Sequence, residues 1–331
     1  MNLNNLLVCP QCKYELIKEG ENYLCLNCNK NKKLVFNIKN GIPILMLGIE
    51  SDSNQNFWDS GWKNRIENTD FRFLNIAEEK YKKTIRENIR VSLIEKRPIS
   101  YVSFQKNDIL LNIGCGMSEA AGFVALGIKN YIGLDFSFNA AEQSLINIKK
   151  FENHGIVLQA NAEQMPIKTS SVDIVFSSGV LHHTTNTLTA LNEVHRVLKD
   201  DGYAVIGLYN SYSPKFILAK LRGYILSLFE GKSKKWYAYT ETSWASENNN
   251  DNPWTITYSK NQVIELFNEA LFDIIDIHKS GFMWGDTIPW FGKYIAKINF
   301  AEKKMKPLLS KIMGSMLVTV IRKKNIIKNN L

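Results

Sequence analysis

Two sets of residues in this chain have the types and spacing to do chemistry. The first is Cys9, Cys12, Cys25 and Cys28, two CxxC knuckles separated by Lys13 to Leu24. Each knuckle turns two thiolates to one side, so the four sulfurs can close a tetrahedron around zinc while Tyr14 to Leu24 makes a short hairpin. A disulfide reading suits an oxidising compartment, and a redox CxxC wants a thioredoxin-like βαβ setting that residues 1–48 do not supply. A site closed by four thiolates has no open position for water or substrate. Its expected work is to fold a segment too short for its own core.

The second set is Gly114, Gly116 and Asp135. Ile109 to Ile113 reads as a buried strand, Gly114-Cys115-Gly116 as a turn where backbone can approach a ligand, and Tyr131 to Asp135 as a second strand ending in an acid. A carboxylate there accepts hydrogen bonds from ribose hydroxyls, so the pattern is expected to hold an adenosine. A dinucleotide is disfavoured. The third glycine of its fingerprint falls at position 119, where Glu119 would set a carboxylate against the pyrophosphate. A cofactor without phosphates meets no such conflict.

The elements that must position these residues follow from the apolar runs. Ile109 to Ile113, Tyr131 to Asp135, Gly155 to Gln159, Val172 to Phe176 and Ala204 to Leu208 have strand length. Glu119 to Leu126, Asn139 to Phe151 and Leu188 to Leu198 between them have helical faces. This alternation predicts an α/β fold, a mainly parallel sheet covered on both faces. Upstream, Val35 to Met46 reads as two strands around an Asn-Gly turn, Asn56 to Trp62 as a polar stretch, and Glu78 to Lys96 as a helix ended by Pro98. Downstream lie an aromatic and basic insertion from Ser213 to Trp254, a helix at Lys260 to Ala270, a strand at Phe272 to His278, a second insertion, and a strand at Met316 to Arg322.

The chain has 331 residues, is 45% apolar and carries a formal charge of +9. That length can bury one large core and carry a small satellite. No apolar run approaches the length of a membrane span, and the first residues lack the pattern of a secretion signal, so a cytoplasmic location is expected. The charge suits nucleic acid, anionic lipid headgroups or phosphorylated substrates, and equally a merely solvated basic surface.

Six segments taken in order point to a family. They are Leu111 to Ser118, Gly133 to Ser137, Asn161 to Pro166, Val172 to Phe176, Val180 to Thr184 and Glu193 to Gly202. In order and spacing they resemble the class I S-adenosylmethionine-dependent methyltransferases of the type 11 group. Residues 6–47, with Cys9-Pro10-Gln11-Cys12 at the start and Gly41-Ile42-Pro43 at the end, resemble the small zinc-ribbon activator subunit of eukaryotic tRNA, rRNA and protein methyltransferases. The resemblance implies a Rossmann-like seven-stranded sheet ending in a reversed hairpin. The expected organisation is a zinc ribbon over 1–48, a linker and helical lid over 49–107, and a methyltransferase domain over 108–331 with insertions at about 211–258 and 281–314.

Carried onto this sequence, the resemblance assigns the backbone around Gly114, Cys115 and Gly116 to the methionine part of S-adenosylmethionine and counts Asn112, which can hydrogen-bond that loop, among the cofactor-binding residues. It assigns Asp135 and Phe136 to the ribose side, Asn161 and Ala162 to the adenine, and Ser177 to the neighbourhood of the sulfonium. Asn112 stands where the family usually has an acid, Ser118 where it often has glycine, and Asn161 where it often has aspartate. These departures bear on affinity more than on ligand identity. Cys115 also reads as a small buried residue, and His195 as surface or packing.

His182 and His183 follow the fourth strand at the edge where ligands bind. Either can accept a proton from a methyl acceptor, and either can serve structural hydrogen bonding instead. Methyl transfer from a sulfonium gains most from alignment and water exclusion, so no catalytic dyad is required. Ser177-Ser178-Gly179-Val180 lacks the Asp/Asn-Pro-Pro-aromatic sequence of amide and adenine methylation, and no Pro-Cys nucleophile is present.

Acceptor choice then falls to the insertions, with Phe216 to Phe229, Trp236 to Trp254, and Phe282 to Phe291 including Trp284 and Trp290. The expected acceptor is a small molecule, a sugar, or a lipid- or glycan-linked intermediate. The apolar stripe at Phe216 to Phe229 with Lys215, Lys220 and Arg222 also suits a membrane surface, as a peripheral contact on the inner face. An rRNA or tRNA methyltransferase is the alternative, and a non-catalytic zinc-ribbon scaffold the second alternative.

Overall fold

The computed structural model describes residues 2–28, 34–48, 53–68, 78–94, 98–116, 119–230, 254–282, 297–298 and 305–324. The ribbon is an antiparallel sheet of β1 (Ile17–Glu19), β2 (Asn22–Cys25), β3 (Leu34–Lys39) and β4 (Ile42–Pro43), in that order. Asn40 and Gly41 join the last two strands with φ of 54° and 80°. Two consecutive positive φ values make the hairpin turn whose twist matches its flanking strands, which is why Asn-Gly stands there.

Two helices follow, α1 (Ser53–Asn68) and α2 (Glu78–Ile94). The polar stretch around Asn56 to Trp62 is therefore helical. Its apolar residues are few, but Phe57 and Gly61 face inward one turn apart, and tertiary contact outweighs the weak local signal.

The main sheet contains β5 (Ile109–Ile113), β6 (Asn130–Asp135), β7 (Ile156–Gln159), β8 (Val172–Ser178), β9 (Leu198–Tyr209), β10 (Phe272–Ser280) and β11 (Met316–Lys323). Their order across the sheet is β10-β11-β9-β8-β5-β6-β7, and β11 runs antiparallel to both neighbours. All five residues of β5 are buried, as expected for a central strand covered on both faces. The connecting helices are α3 (Glu119–Ala125), α4 (Phe138–Lys149), α5 (Thr187–Val197), α6 (Pro214–Glu230), α7 (Lys260–Glu269) and α8 (Lys306–Met313). Side-chain caps start three of them: Ser137 accepts from Ala140 N, Asn186 from Thr189 N, and Ser259 forms a reciprocal capping box with Gln262. The seven-stranded sheet expected from the resemblance is present, reversed hairpin included. Of the aromatic positions expected in the insertions, Trp236, Trp284 and Trp290 lie outside the described residues, as does Ser118.

The ribbon is packed into this domain. Val8 N donates to Pro166 O at 3.0 Å, Lys168 N to Leu6 O at 2.9 Å, and Leu45 N to Gln159 O at 2.9 Å. Leu7, Tyr23, Phe36 and Leu45 join Leu134, Leu158, Met165 and Ile167 in one buried apolar cluster. Lys13 Nζ reaches Glu193 at 2.7 Å and the carbonyl of Met165 at 3.2 Å. Arg196 clasps the same Glu193 and donates to the carbonyls of Met165 and Ile167. A segment too small for its own core thus shares the core of its neighbour.

Candidate functional site

The four ribbon thiols come together as the spacing requires. Their sulfurs all lie within 4.8 Å of one another. Cys9 and Cys28 Sγ are 3.4 Å apart, Cys12 and Cys25 Sγ 3.5 Å, and Cys25 and Cys28 Sγ 3.6 Å. These separations are far beyond a disulfide bond, and close to the roughly 3.8 Å edge of a tetrahedron with zinc–sulfur bonds of about 2.3 Å. The chemistry of the donor set and its geometry both fit a closed tetrahedral ion.

At the carboxyl edge of the main sheet, β5 and β6 lie side by side in parallel register, with Ile113 opposite Leu134. The chain leaves β5 through Gly114 at φ of 68°, and Gly114 N donates to Leu134 O at 2.7 Å. A Cβ at Gly114 would lie 2.1 Å from Val180 Cγ2, so both conformation and space demand glycine. The loop then returns to Asp135, whose carboxylate accepts from Gly116 N at 2.9 Å and Ser137 N at 3.0 Å. Burial pushes this carboxyl up to about 6, against the lowering effect of the backbone N–H groups of Gly116, Ser137 and Phe136.

A cavity of about 150 Å³ opens between this loop and the chain after β7. Gly114, Asp135, Phe136, Asn161, Ala162 and His183 line it, together with Val180 and Gly179. Asn161 caps the following 3-10 turn by accepting from Glu163 N at 2.9 Å. Ile113, Leu134, Ala160 and Ala162 make one wall apolar, which suits a purine face between polar groups. Of the expected cofactor residues, Asn112, Cys115 and Ser177 are buried beneath the loop and the strand ends, outside the lining. Asn112 Nδ2 donates to the Tyr131 hydroxyl at 3.1 Å. Gly116 contributes through its bond to Asp135. Glu119 has one carboxylate oxygen with no hydrogen-bond partner among the described residues, and burial pushes its carboxyl up to about 8.

The two histidines separate. His183 lines the cavity, with Nδ1 3.3 Å from the Trp254 carbonyl and 3.1 Å from Thr255 Oγ1. The carbonyl only accepts, so its bond forms with the proton on Nδ1, whereas the Thr255 hydroxyl pairs with either tautomer. His182 is fully buried with its ring 3.7 Å from that of Tyr209, and neither ring nitrogen has a hydrogen-bond partner among the described residues. Burial holds its pKa well below the ordinary value, so it stays neutral. His195 packs edge-on against Phe272, in keeping with a packing role.

Sequence reasoning did not single out Trp58 and Trp62, which line the cavity from α1. Trp62 lies 3.6 Å from where a Cβ on Gly116 would stand, and Trp58 meets His183 edge-on with ring centroids 5.1 Å apart. Asp59, between them, accepts from Ser137 Oγ at 2.8 Å and Asn139 N at 3.0 Å, docking α1 on the start of α4. The signal was available, since tryptophans at i and i+4 share a helix face.

Comparison with known proteins supports this frame. Residues 111–206 match the methyltransferase domain family. An uncharacterized protein of Methanocaldococcus jannaschii is 36% identical over 39% of this chain and 47% of its own length. A malonyl-[acyl-carrier protein] O-methyltransferase of a Marinomonas species is 29% identical over 34% and 42%. The chain thus spans under half the length of these two relatives. A demethylmenaquinone methyltransferase of Listeria welshimeri is 25% identical over 54% of this chain and 76% of its own length. Among solved structures, the complex between the Haloferax volcanii Trm112 methyltransferase activator and a methyltransferase aligns with a TM-score of 0.49 and 15% identity, covering 84% of this chain and all of that one. Among the described residues no helix is long and apolar enough to cross a membrane. The glycine turn, the acid at the end of the second strand and the wall at Asn161 and Ala162 all fall within residues 111–206, the span that matches the methyltransferase domain family.

Proposed function

We propose that this protein is an S-adenosylmethionine-dependent methyltransferase acting on a small-molecule, sugar, or lipid- or glycan-linked acceptor. One observation carries the reading: Asp135, held by Gly116 N and Ser137 N, faces a cavity bounded by the Gly114 turn and by Asn161 and Ala162. Gly114, Asp135, Asn161 and Ala162 line one cavity whose apolar wall suits a purine, so the residues present fit the cofactor. When bound, S-adenosylmethionine supplies an electrophilic methyl on a positively charged sulfur.

Asp135 accepts from the ribose hydroxyls and must be ionised to do so fully. Trp58 and Trp62 cover the cavity and exclude water, which sharpens alignment of the reacting groups. His183 lines the same cavity, and its imidazole takes the proton of an acceptor hydroxyl or amine. Four thiolates hold a structural zinc ion, and the ribbon buttresses residues 165–168 beside the adenine wall. A malonyl-[acyl-carrier protein] methyltransferase and a demethylmenaquinone methyltransferase among the relatives support acceptors outside nucleic acids.

Isothermal calorimetry tests the reading. The zinc-loaded protein should bind S-adenosylmethionine or its demethylated product at one site per chain, and Asp135→Ala should weaken that binding at least tenfold. Wild-type protein that binds neither compound would sink it.

A further inference from the structure

The first insertion opens with an inverted helix. α6 turns Phe216, Ala219 and Gly223 inward, and its outward stripe is Ile217, Leu218, Leu221, Tyr224, Ile225 and Leu228. These six positions recur with helical spacing on one face, and Leu221 and Leu228 are 50% and 65% exposed. A surface helix ordinarily shows polar residues there, and a contiguous apolar stripe of this size marks an interaction site. α8 repeats the pattern, with Met305 just ahead of it and Leu308 and Ile312 on it exposed. Both helices are pinned at one point. Asn210, just past the end of β9, donates through its side chain to Gly314 O at 2.9 Å and through its backbone to Ser315 O at 2.8 Å. α6 begins at Pro214 and α8 ends at Met313, so both lie at the carboxyl edge of the sheet, where the cavity opens.

On the two helices Arg222 and Lys311 are exposed and Lys220 and Lys306 half-buried, and the charge of the surrounding sequence selects the occupant. In sequence, residues 213–235 carry six Lys or Arg against Glu230, and residues 293–311 carry six Lys against Glu302. Together they hold more than the whole formal charge of +9, leaving the rest of the chain slightly acidic. A protein partner with an apolar groove would not need that concentration of positive charge, and a nucleic acid would not need the leucines. An anionic bilayer uses both, since apolar side chains enter the acyl boundary and each basic residue near the surface adds on the order of 1 kcal/mol. Tyr212 and Trp254, 71% and 58% exposed, stand at the same edge and have the amphipathic rings that favour a lipid interface.

We infer that the outward stripe of α6, with α8 at the same carboxyl edge, seats this protein on an anionic lipid bilayer. Because the Trp254 carbonyl bonds His183, the bilayer meets the chain next to the cavity. On the methyltransferase reading above, on which this consequence rests, the acceptor is then borne on a lipid.

Vesicle sedimentation of the full zinc-loaded chain tests this. The chain should bind phosphatidylcholine vesicles containing phosphatidylglycerol at least tenfold more tightly than pure phosphatidylcholine, with the difference shrinking as salt rises. Leu221→Glu with Leu228→Glu, both exposed and so compatible with folding, should cut that binding at least tenfold while leaving cofactor calorimetry unchanged. Circular dichroism checks that this double variant keeps its helices. Equal binding by wild type and double variant, or no preference for the anionic vesicles, overturns the inference. A chain that ignores vesicles yet binds S-adenosylmethionine overturns the membrane inference alone. A chain that sediments but binds no cofactor supports the inference and removes the methyltransferase reading instead.

Discussion

Gly114→Ala is the substitution whose consequence can be worked most fully from the structure. Two penalties act together. The backbone at φ of 68° places any L-side chain in the left-handed region, costing about 1–2 kcal/mol. The new Cβ would also stand 2.1 Å from Val180 Cγ2, 2.8 Å from Cγ1 and 3.0 Å from Cβ, so no rotation of the valine clears it. Displacing Val180 from a packed turn adds about 1–3 kcal/mol. Gly48 provides the matched control, with the same φ of 68° and nothing within 4 Å of where a Cβ would stand, so Gly48→Ala should show the conformational cost alone. Chemical denaturation of both variants should therefore find Gly114→Ala the more costly by about 1–3 kcal/mol. Val180→Ala in the Gly114→Ala background removes both γ carbons and should recover most of that difference, though the 3.0 Å contact to Cβ keeps the recovery short of complete. Because Gly114 and Val180 both line the cavity, calorimetry should show Gly114→Ala losing cofactor affinity while Gly48→Ala keeps it. Equal destabilisation by the two alanines, or no rescue by Val180→Ala, would refute the reasoning.

Cofactor binding by wild type should strengthen as pH rises through about 6, where Asp135 ionises, and Asp135→Asn should bind weakly with that step abolished; calorimetry from pH 5 to 8 reads both. The raised carboxyl of Glu119, at about 8 against 4.5, means the folded chain holds a proton the unfolded chain releases, so stability falls as pH rises across that window. Glu119→Gln should flatten this decline, seen as a smaller loss of melting temperature than wild type between pH 6 and 8. Metal analysis should find one zinc per chain, and Cys12→Ser should lower zinc content, melting temperature and cofactor affinity together, since the ribbon holds residues 166–168 through two backbone hydrogen bonds. Glu193→Ala should destabilise by about 1–3 kcal/mol, because it leaves Lys13 and Arg196 without their shared carboxylate in a partly buried setting; denaturant titration measures it.

Much of the frame was legible in the residues. Buried strands such as Ile109–Ile113 announce themselves by unbroken apolar runs, and the CxxC pairs and the glycine turn are local patterns whose geometry hardly depends on what surrounds them. The helix carrying Trp58 and Trp62 was not legible in the same way. Its residues are mostly polar, and what makes it a helix over the cavity is the pairing of Asp59 with Ser137 and Asn139, some 80 residues downstream. The separation of His182 from His183 was equally hidden. Adjacent in sequence, they part because the turn at Val180 sends one ring under Tyr209 and the other into the cavity, which only the packing of β9 decides. Ser177 shows the reverse case, a strand-end residue near the expected ligand whose hydroxyl is buried with no hydrogen-bond partner among the described residues.

The place where the ribbon meets the sheet has a consequence for the life of the folded chain. β7 is the outermost strand on its side, and Leu45 N bonds Gln159 O while Ile44 bridges the same residue in parallel. An outermost strand with bare amides is a template for another chain. The ribbon therefore acts as a guard against self-association, and Ile42 and Leu45, both fully buried, are the surfaces it would expose on release. On the zinc reading proposed above, removal of the ion should appear first as aggregation, ahead of any loss of cofactor binding.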